Sequence, residues 1–246
     1  MLKIKEIKLD KPEIEQCKLA DMGVLMSHPF RSYFIGASGS GKTNLLMNFL
    51  TREGYYNQFF DRLFIISPTA SSGLDPSYQK VIEDTKYEQD KDLFFFEPEE
   101  EVLVNILEVQ KEEEKEKKTL VILDDVVSFK SFMNSKTLLQ FFIMSRHYNI
   151  SVFLLSQGWF CCPKTLRLNC SNIIYFKGSD VETDTVATEF CPAGYSKRNF
   201  KKMIEHATEE PYSFLYIDLN IPMHGKIPRY RKNLSHDLLK MYSIKK

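Results

Sequence analysis

Residues 36–43 read GASGSGKT, directly after the apolar run Phe30–Ile35 and directly before the helical pattern NLLMNFL. Three glycines within six residues let a backbone turn tightly and aim successive N–H groups at one point. A helix N-terminus behind such a loop adds partial positive charge, so the segment is a cradle for phosphate oxygens. The spacing GxxxxGK[ST] between a strand and a helix is the phosphate-loop pattern. It arises by chance on the order of once per hundred chains of this length. Gly36, Ala37, Ser38, Gly39, Ser40, Gly41, Lys42 and Thr43, with Asn44 adjoining, form the expected nucleotide-binding set. Lys42 can reach the β- and γ-phosphates, and the Thr43 hydroxyl can sit on Mg²⁺.

A second run, TLVILDD (119–125), ends in two carboxylates. A buried parallel strand that stops there puts Asp124 at the carboxyl edge of the sheet, where α/β proteins bind ligands. Asp124 is the expected Mg²⁺ partner, and Asp125 is placed to polarise an attacking water. The second acid favours hydrolysis over switch or kinase chemistry. The stretch MSRHYNISVFLLSQ (144–157) runs from a helix end into a strand. Gln157 at its end can sense a γ-phosphate by hydrogen bonding. Arg146 is a candidate arginine finger, offered across a subunit boundary. The plainer readings stay open: a helix-terminal arginine facing the dipole, and a glutamine satisfying nearby backbone. Arg167, in PKTLRLNCSNIIYF (163–176), is a second finger candidate, and His147 reads as a surface or packing residue.

The composition permits a sizeable core: 43% of the 246 residues are hydrophobic, and 33 basic residues balance 33 acidic ones. Whole-chain disorder is excluded on that balance. No run of about 18 apolar residues is present, so no transmembrane helix is expected. The charged N-terminus MLKIKEIKLDKPEIEQ lacks the apolar stretch of a signal peptide. Five cysteines without CxxC spacing favour reduced thiols over a disulfide framework or zinc site. The expected setting is therefore soluble and unsecreted. The neutral total hides a polarity: residues 81–118 hold 14 acids and 6 bases, and residues 226–246 hold 7 bases and 1 acid.

Apolar runs alternating with helical patterns point to an α/β fold with a largely parallel central sheet flanked by helices. Strands are expected at Phe30–Ile35, Leu63–Ser67, Leu93–Phe96, Leu120–Asp124, Val152–Gln157, Ile173–Phe176 and Phe214–Ile217, with helices over Lys42–Leu50 and Thr137–Arg146. KEEEKEKK (111–118) reads as a solvated helix end or loop, and IPMHGKIPRYRKN (221–233) as a hairpin or extended arm. The expected organisation is an N-terminal arm (1–28), a P-loop core (29–220) and a basic C-terminal extension (221–246). Two basic clusters are candidate DNA contacts, with plain solvated surface as the alternative: Lys197, Arg198, Lys201 and Lys202, then Lys226, Arg229, Arg231 and Lys232.

Together PFRSYFIGASGSGKT (29–43), TLVILDD (119–125), SRHYNISVFLLSQ (145–157) and PKTLRLN (163–169) resemble the DNA-packaging ATPases of the FtsK/HerA superfamily. The resemblance is to those of large eukaryotic double-stranded DNA viruses and virophages, and it spans residues 29–176 in the family's block order. It implies an ASCE-type, RecA-like P-loop core that hydrolyses ATP with Mg²⁺. It also implies a homo-oligomeric ring, a pentamer or hexamer, that moves double-stranded DNA into a preformed capsid. By the same resemblance Lys42 and Thr43 are the Walker A residues, Asp124 the metal-binding acid, Asp125 the catalytic acid and Gln157 the polar sensor. Arg146 becomes the preferred finger. Asp125 stands where many relatives carry Glu, one methylene longer. The implied setting is host-cell cytoplasm or viral factory, with capsid-vertex or membrane-associated capsid proteins as further partners.

Other classes fit less well. No N/T-K-x-D with D-x-x-G marks a GTPase switch, no LSGGQ-like signature marks an ABC ATPase, and residues 119–125 lead into VVS rather than a DEAD-like box. A small-molecule kinase would need an arginine-rich lid, and few arginines follow Gln157. A helicase-like or partition ATPase remains an alternative. So does an ATP-binding assembly subunit without motor activity, although Asp125 argues against that last reading.

Overall fold

The computed structural model describes residues 15–73, 76–85, 87–112, 116–220, 228–234 and 236–239. Its strands are β1 (Arg31–Ile35), β2 (Arg62–Ile66), β3 (Leu93–Phe96), β4 (Thr119–Leu123), β5 (Ile150–Ser156), β6 (Asn172–Phe176), β7 (Phe214–Asp218), β8 (Tyr230–Lys232) and β9 (His236–Asp237). The helices are α1 (Lys18–Asp21), α2 (Lys42–Thr51), α3 (Pro68–Ser71), α4 (Pro76–Asp84), α5 (Glu100–Glu112), α6 (Lys130–Met133), α7 (Lys136–Met144), α8 (Lys164–Arg167), α9 (Asp180–Phe190) and α10 (Lys197–Ala207).

One nine-stranded sheet runs in the order β3-β2-β4-β5-β1-β6-β7-β8-β9. Neighbours from β3 to β6 are parallel, whereas β6–β7, β7–β8 and β8–β9 are antiparallel. The central strands are apolar on both faces, as a sheet covered on both sides requires. The period of two divides them between two cores. Tyr33, Ile35, Val121, Leu123, Val152 and Leu154 pack under α5, α7, α9 and α10. Phe34, Ile65, Ile122, Phe153 and Leu155 pack under α2 and α4. In the second core Phe153 gathers the rings of Phe30, Phe34, Phe49 and Tyr56, with centroids 4.8–6.4 Å away.

Local chemistry sets where helices begin. Ser135, Ser179 and Ser196 each accept a hydrogen bond from a first-turn N–H, and Ser179 with Glu182 completes a capping box. The expected strands are all present within a residue or two, and the helix expected over Thr137–Arg146 stops at Met144 before a 3₁₀ turn, Ser145–His147. Amphipathic α4, α5, α9 and α10 are not among the expected helices. Of KEEEKEKK, residues 111–112 close α5, and residues 113–115 lie outside the described part.

At both ends, described residues outside the expected core pack with it. From residue 15 onward the arm joins the core, because Cys17, Ala20, Leu25 and Met26 are buried against the α2 side. At the other end β8 and β9 extend the same sheet beyond residue 220. Residues 1–14, 221–227, 235 and 240–246, including Lys226, lie outside the described residues.

His28 closes the base of the α2-side core. It is 3% exposed, its ring meets Phe59 and Phe60 edge-on, and its Nδ1 lies 2.7 Å from Ser151 Oγ. Burial, with the nearby Lys118 charge, pushes its pKa down to about 3. The unfolded chain takes up this proton near pH 6.5 and the folded chain only near 3. Stability from this group is therefore complete above pH 6.5 and falls as the pH drops towards 3, by about 1.4 kcal/mol per pH unit inside that window. In thermal melts at pH 7 and pH 5, His28→Gln should show a smaller acid-induced loss of Tm than the wild type.

Candidate functional site

The C-terminal ends of β1, β4 and β5 meet at one cleft of about 400 Å³, lined by Ser38, Gly39, Gly41, Lys42, Thr43, Asn44, Asp124, Asp125, Gln157 and Tyr212. Parallel pairing of β1 with β5, and of β5 with β4, brings the three ends to one side of the sheet, β4 stopping two residues earlier than the other two. Gly41 is the N-cap of α2 at φ +102°, and no side chain caps the first turn. Its N–H groups keep their capacity to bind an anion. Gly39 also has a positive φ, +75°, so the loop needs glycine at both positions. Gly36 closes the turn from β1, its N–H bonded to Ser156 O. Ala37 and Ser38 are exposed and Ser40 is half-buried, its hydroxyl without a partner among the described residues.

Lys42 is 9% exposed, and its Nζ donates to Gly36 O at 2.6 Å and Ala37 O at 3.1 Å. The ammonium is thus folded back onto the loop it would serve. Burial lowers its pKa, against the opposing pull of Asp124 and Asp125. Asp124 is 4% exposed and accepts hydrogen bonds from Tyr78 Oη at 2.8 Å and from the Asp125 N–H at 3.0 Å. Both orient its carboxylate towards the cleft. Asp125 is half-buried in the left-handed region at φ +54°, turning away from the strand's line into the opening. The Thr43 hydroxyl and the Asp124 carboxylate offer the hard oxygen donors that suit a magnesium ion. Among the described residues no group of three or more His, Cys, Asp or Glu forms a metal cage.

Gln157 follows β5 and is exposed in the cleft. The turn behind it is fixed: Tyr33 Oη lies 2.6 Å from Ser156 Oγ and donates to Gly158 O at 2.9 Å. Glu182 reaches the same turn from α9. Its Oε1 accepts the Trp159 N–H at 2.7 Å, while Oε2 accepts from the Ser179 N–H and hydroxyl at 3.0 and 3.2 Å.

The arginines part company. Arg146 is exposed in the 3₁₀ turn before β5, at the opposite sheet edge from the cleft. The seven residues of β5 separate the two, roughly 20 Å. Arg167 does not serve as a free finger. It is 8% exposed, donates to Trp159 O and Cys162 O, pairs with Glu189 and stacks 4.7 Å from the Trp159 ring centre.

The basic clusters also need correction. Arg231 is 2% exposed, donates to the carbonyls of Gly23, Val24 and Leu234, and lies 4.1 Å over the Tyr216 ring. Lys232 is 8% exposed and pairs with Glu210 at 2.9 Å. Neither presents charge to DNA. Arg229 is half-buried, over the Tyr230 ring. On α10, Arg198 and Lys202 are exposed on the face opposite buried Phe200, Met203 and Ile204, Lys197 is exposed at the helix start, and Lys201 is held 3.0 Å from Asp184.

Two residues that shape the site carry no sequence signal. Tyr78 sits in α4, where no motif marks it, and Tyr212 precedes β7 in a left-handed turn that no local pattern announces.

A profile of the family described as Poxvirus A32 protein matches residues 20–217. No curated protein matches the chain by sequence. Among solved structures the chain is similar to B204, the DNA-packaging ATPase from Sulfolobus turreted icosahedral virus. The two are 16% identical over 78% of this chain and 94% of that one, with a TM-score of 0.57. It is likewise similar to the genome packaging NTPase B204 from Sulfolobus turreted icosahedral virus 2 in complex with ATP-gammaS, at 13% identity, 78% and 93% coverage, and TM-score 0.55. EssC (ATPases 2 and 3) from Geobacillus thermodenitrificans shares 16% identity over 77% of this chain and 37% of that chain, with TM-score 0.51. These likenesses fix the fold as that of P-loop NTPases.

The two positive-φ glycines of the phosphate loop differ in one respect. A Cβ on Gly39 would meet nothing within 4 Å, whereas one on Gly41 would come 2.9 Å from Tyr212 Cδ1. Gly39→Ala should therefore cost only backbone strain, about 1–2 kcal/mol. Gly41→Ala should cost more. Urea denaturation midpoints of the two variants check the order.

Proposed function

The chain belongs to the poxvirus A32 protein family, and on that premise we propose that it is an ATP-hydrolysing motor that drives double-stranded viral DNA into a preformed capsid. The carrying observation is the convergence of Lys42, Thr43, Asp124, Asp125 and Gln157 on one cleft at the ends of three adjacent strands. The likeness to B204, a packaging ATPase solved in one case with ATP-gammaS, supports the same reading.

The reaction is ATP plus water giving ADP plus phosphate. The loop N–H groups hold the phosphate chain, and Lys42 exchanges the carbonyls of Gly36 and Ala37 for β- and γ-oxygens. Thr43 and Asp124 would hold Mg²⁺, which would supply positive charge against the phosphates. Asp125 takes a hydrogen bond from the attacking water and aligns it, and Gln157 contacts the γ-phosphate. Arg146 lies too far to reach its own cleft. That distance supports supply to a neighbour's cleft in a ring of identical subunits, where a heterologous contact joins two different faces. Lys197, Arg198 and Lys202 on α10, with Arg229, are the remaining DNA contacts in this reading. The setting is the host cytoplasm or viral factory, with a capsid vertex as docking partner. No helix among the described residues is long and apolar enough to cross a membrane.

Turnover, active-site variants and DNA binding each test the motor. ATP turnover should rise with linear double-stranded DNA and more steeply than linearly with protein concentration. Turnover indifferent to both would replace the motor with a self-contained phosphotransferase. Asp125→Asn should bind ATP while losing about 10²- to 10⁴-fold in turnover. Arg146→Ala should be similarly slow, yet mixing it with Asp125→Asn should restore activity, because Asp125 of one subunit meets Arg146 of the other. No recovery on mixing would reject the shared site. Reversing Lys197, Arg198 and Lys202 to Glu should lower the salt slope of DNA binding by about one for each phosphate no longer neutralised.

A further inference from the structure

We infer that Tyr212 is the platform on which the base of the bound nucleotide stacks. The inference rests on reading the cleft as a triphosphate site and adds where the nucleoside lies. The sheet order supplies the direction. Asp124, Asp125 and Gln157 follow β4 and β5, which lie to one side of β1, while β6 and β7 lie to the other. The terminal phosphate belongs beside the acids, so the nucleoside must leave the loop on the β6–β7 side. Tyr212 stands there, one residue from Ser213 and two before β7 begins at Phe214.

Its geometry is that of a built feature. The residue is 69% exposed, although it lines the cleft and its ring edge rests against Gly41. A second cavity of about 330 Å³, walled by Phe176, Lys177 and Pro211 among others, opens on its far side and shares Gly39 and Tyr212 with the first. The ring thus stands at the passage between a space for phosphates and a space large enough for a base. Tyr212 is also held at φ +64°, which costs a bulky residue energy and persists only where its surroundings enforce it.

Those surroundings include a residue that the sequence offered to DNA. The Ser213 N–H and hydroxyl both donate to Glu210 O, at 3.1 and 2.7 Å, closing a four-residue turn around Tyr212. Lys232 clamps Glu210 at 2.9 Å and Glu209 at 3.8 Å. Asn233 then ties the start of β7 through Phe214, accepting its N–H at 3.1 Å and donating to its carbonyl at 2.8 Å. The turn before β7 is locked to β8, and an aromatic face projects from it beside the phosphate loop.

Stacking on one ring is tolerant of base identity, because every base has a π-face. Tyr212 should add affinity for nucleoside triphosphates without choosing among them. The test is calorimetric titration with ATP, GTP and inorganic tripolyphosphate, each with Mg²⁺, on wild type, Tyr212→Phe and Tyr212→Asn. Asn removes the ring yet tolerates positive φ. Tyr212→Asn should weaken ATP and GTP about tenfold each and leave tripolyphosphate unchanged, while Tyr212→Phe binds all three as the wild type does. Unchanged ATP affinity in Tyr212→Asn overturns the inference and leaves the triphosphate reading intact. Equal loss for ATP and tripolyphosphate also overturns it, assigning Tyr212 to support of the loop. A wild type that binds neither ATP nor tripolyphosphate overturns both readings together.

Discussion

β1 is hydrogen-bonded along its length to β5 on one side and to β6 on the other, with Tyr33, Phe34 and Ile35 closed off from water on both faces. The point at which this strand ends is therefore not adjustable. Moving it by one residue would exchange the two cores, since successive side chains face opposite ways. The loop that follows inherits a fixed start at Gly36, and α2 a fixed start at Lys42. Into the six positions from Gly36 to Gly41 the chain must fit a reversal that only positive-φ positions allow. The acids after β4 and the glutamine after β5 then reach the same cleft because β4 pairs in fixed register with β5, and β5 with β1.

That dependence explains what is legible in the sequence. The strand, the glycine loop, the helix and the acid pair are each local signals: an apolar run, a spacing, a periodicity. Partnerships made at a distance are not legible. Arg231 and Lys232 read as exposed charge because nothing nearby in sequence shows that carbonyls of Gly23 and Val24, some two hundred residues earlier, would surround one of them. Arg167 misleads in the same way, since its neighbours Trp159 and Glu189 meet it only after β5, α8 and α9 have packed. A basic side chain looks alike in sequence whether its charge is spent inside the protein or offered outside. The hydrogen bond from Tyr78 to Asp124 joins two elements across a core, so no spacing rule applies to it.

The antiparallel end of the sheet is hard to read for a related reason. A segment with Pro and Gly at turn spacing resembles an appendage, but β8 lies against β7 and closes the α2-side core through Arg231. The N-terminal segment from residue 15 packs on the same side. Residues 17–26 and β8 thus meet on one side of the sheet.

The Glu182 carboxylate has a consequence of its own. One oxygen serves the turn after β5 and the other serves the turn after β6, so the two strands that flank the phosphate loop end on a shared crossbeam. An amide in its place could accept at one end only. With a carboxylate there, the turn that follows Gln157 and the N-terminus of α9 share one anchor, and displacing either from it breaks a hydrogen bond of that anchor.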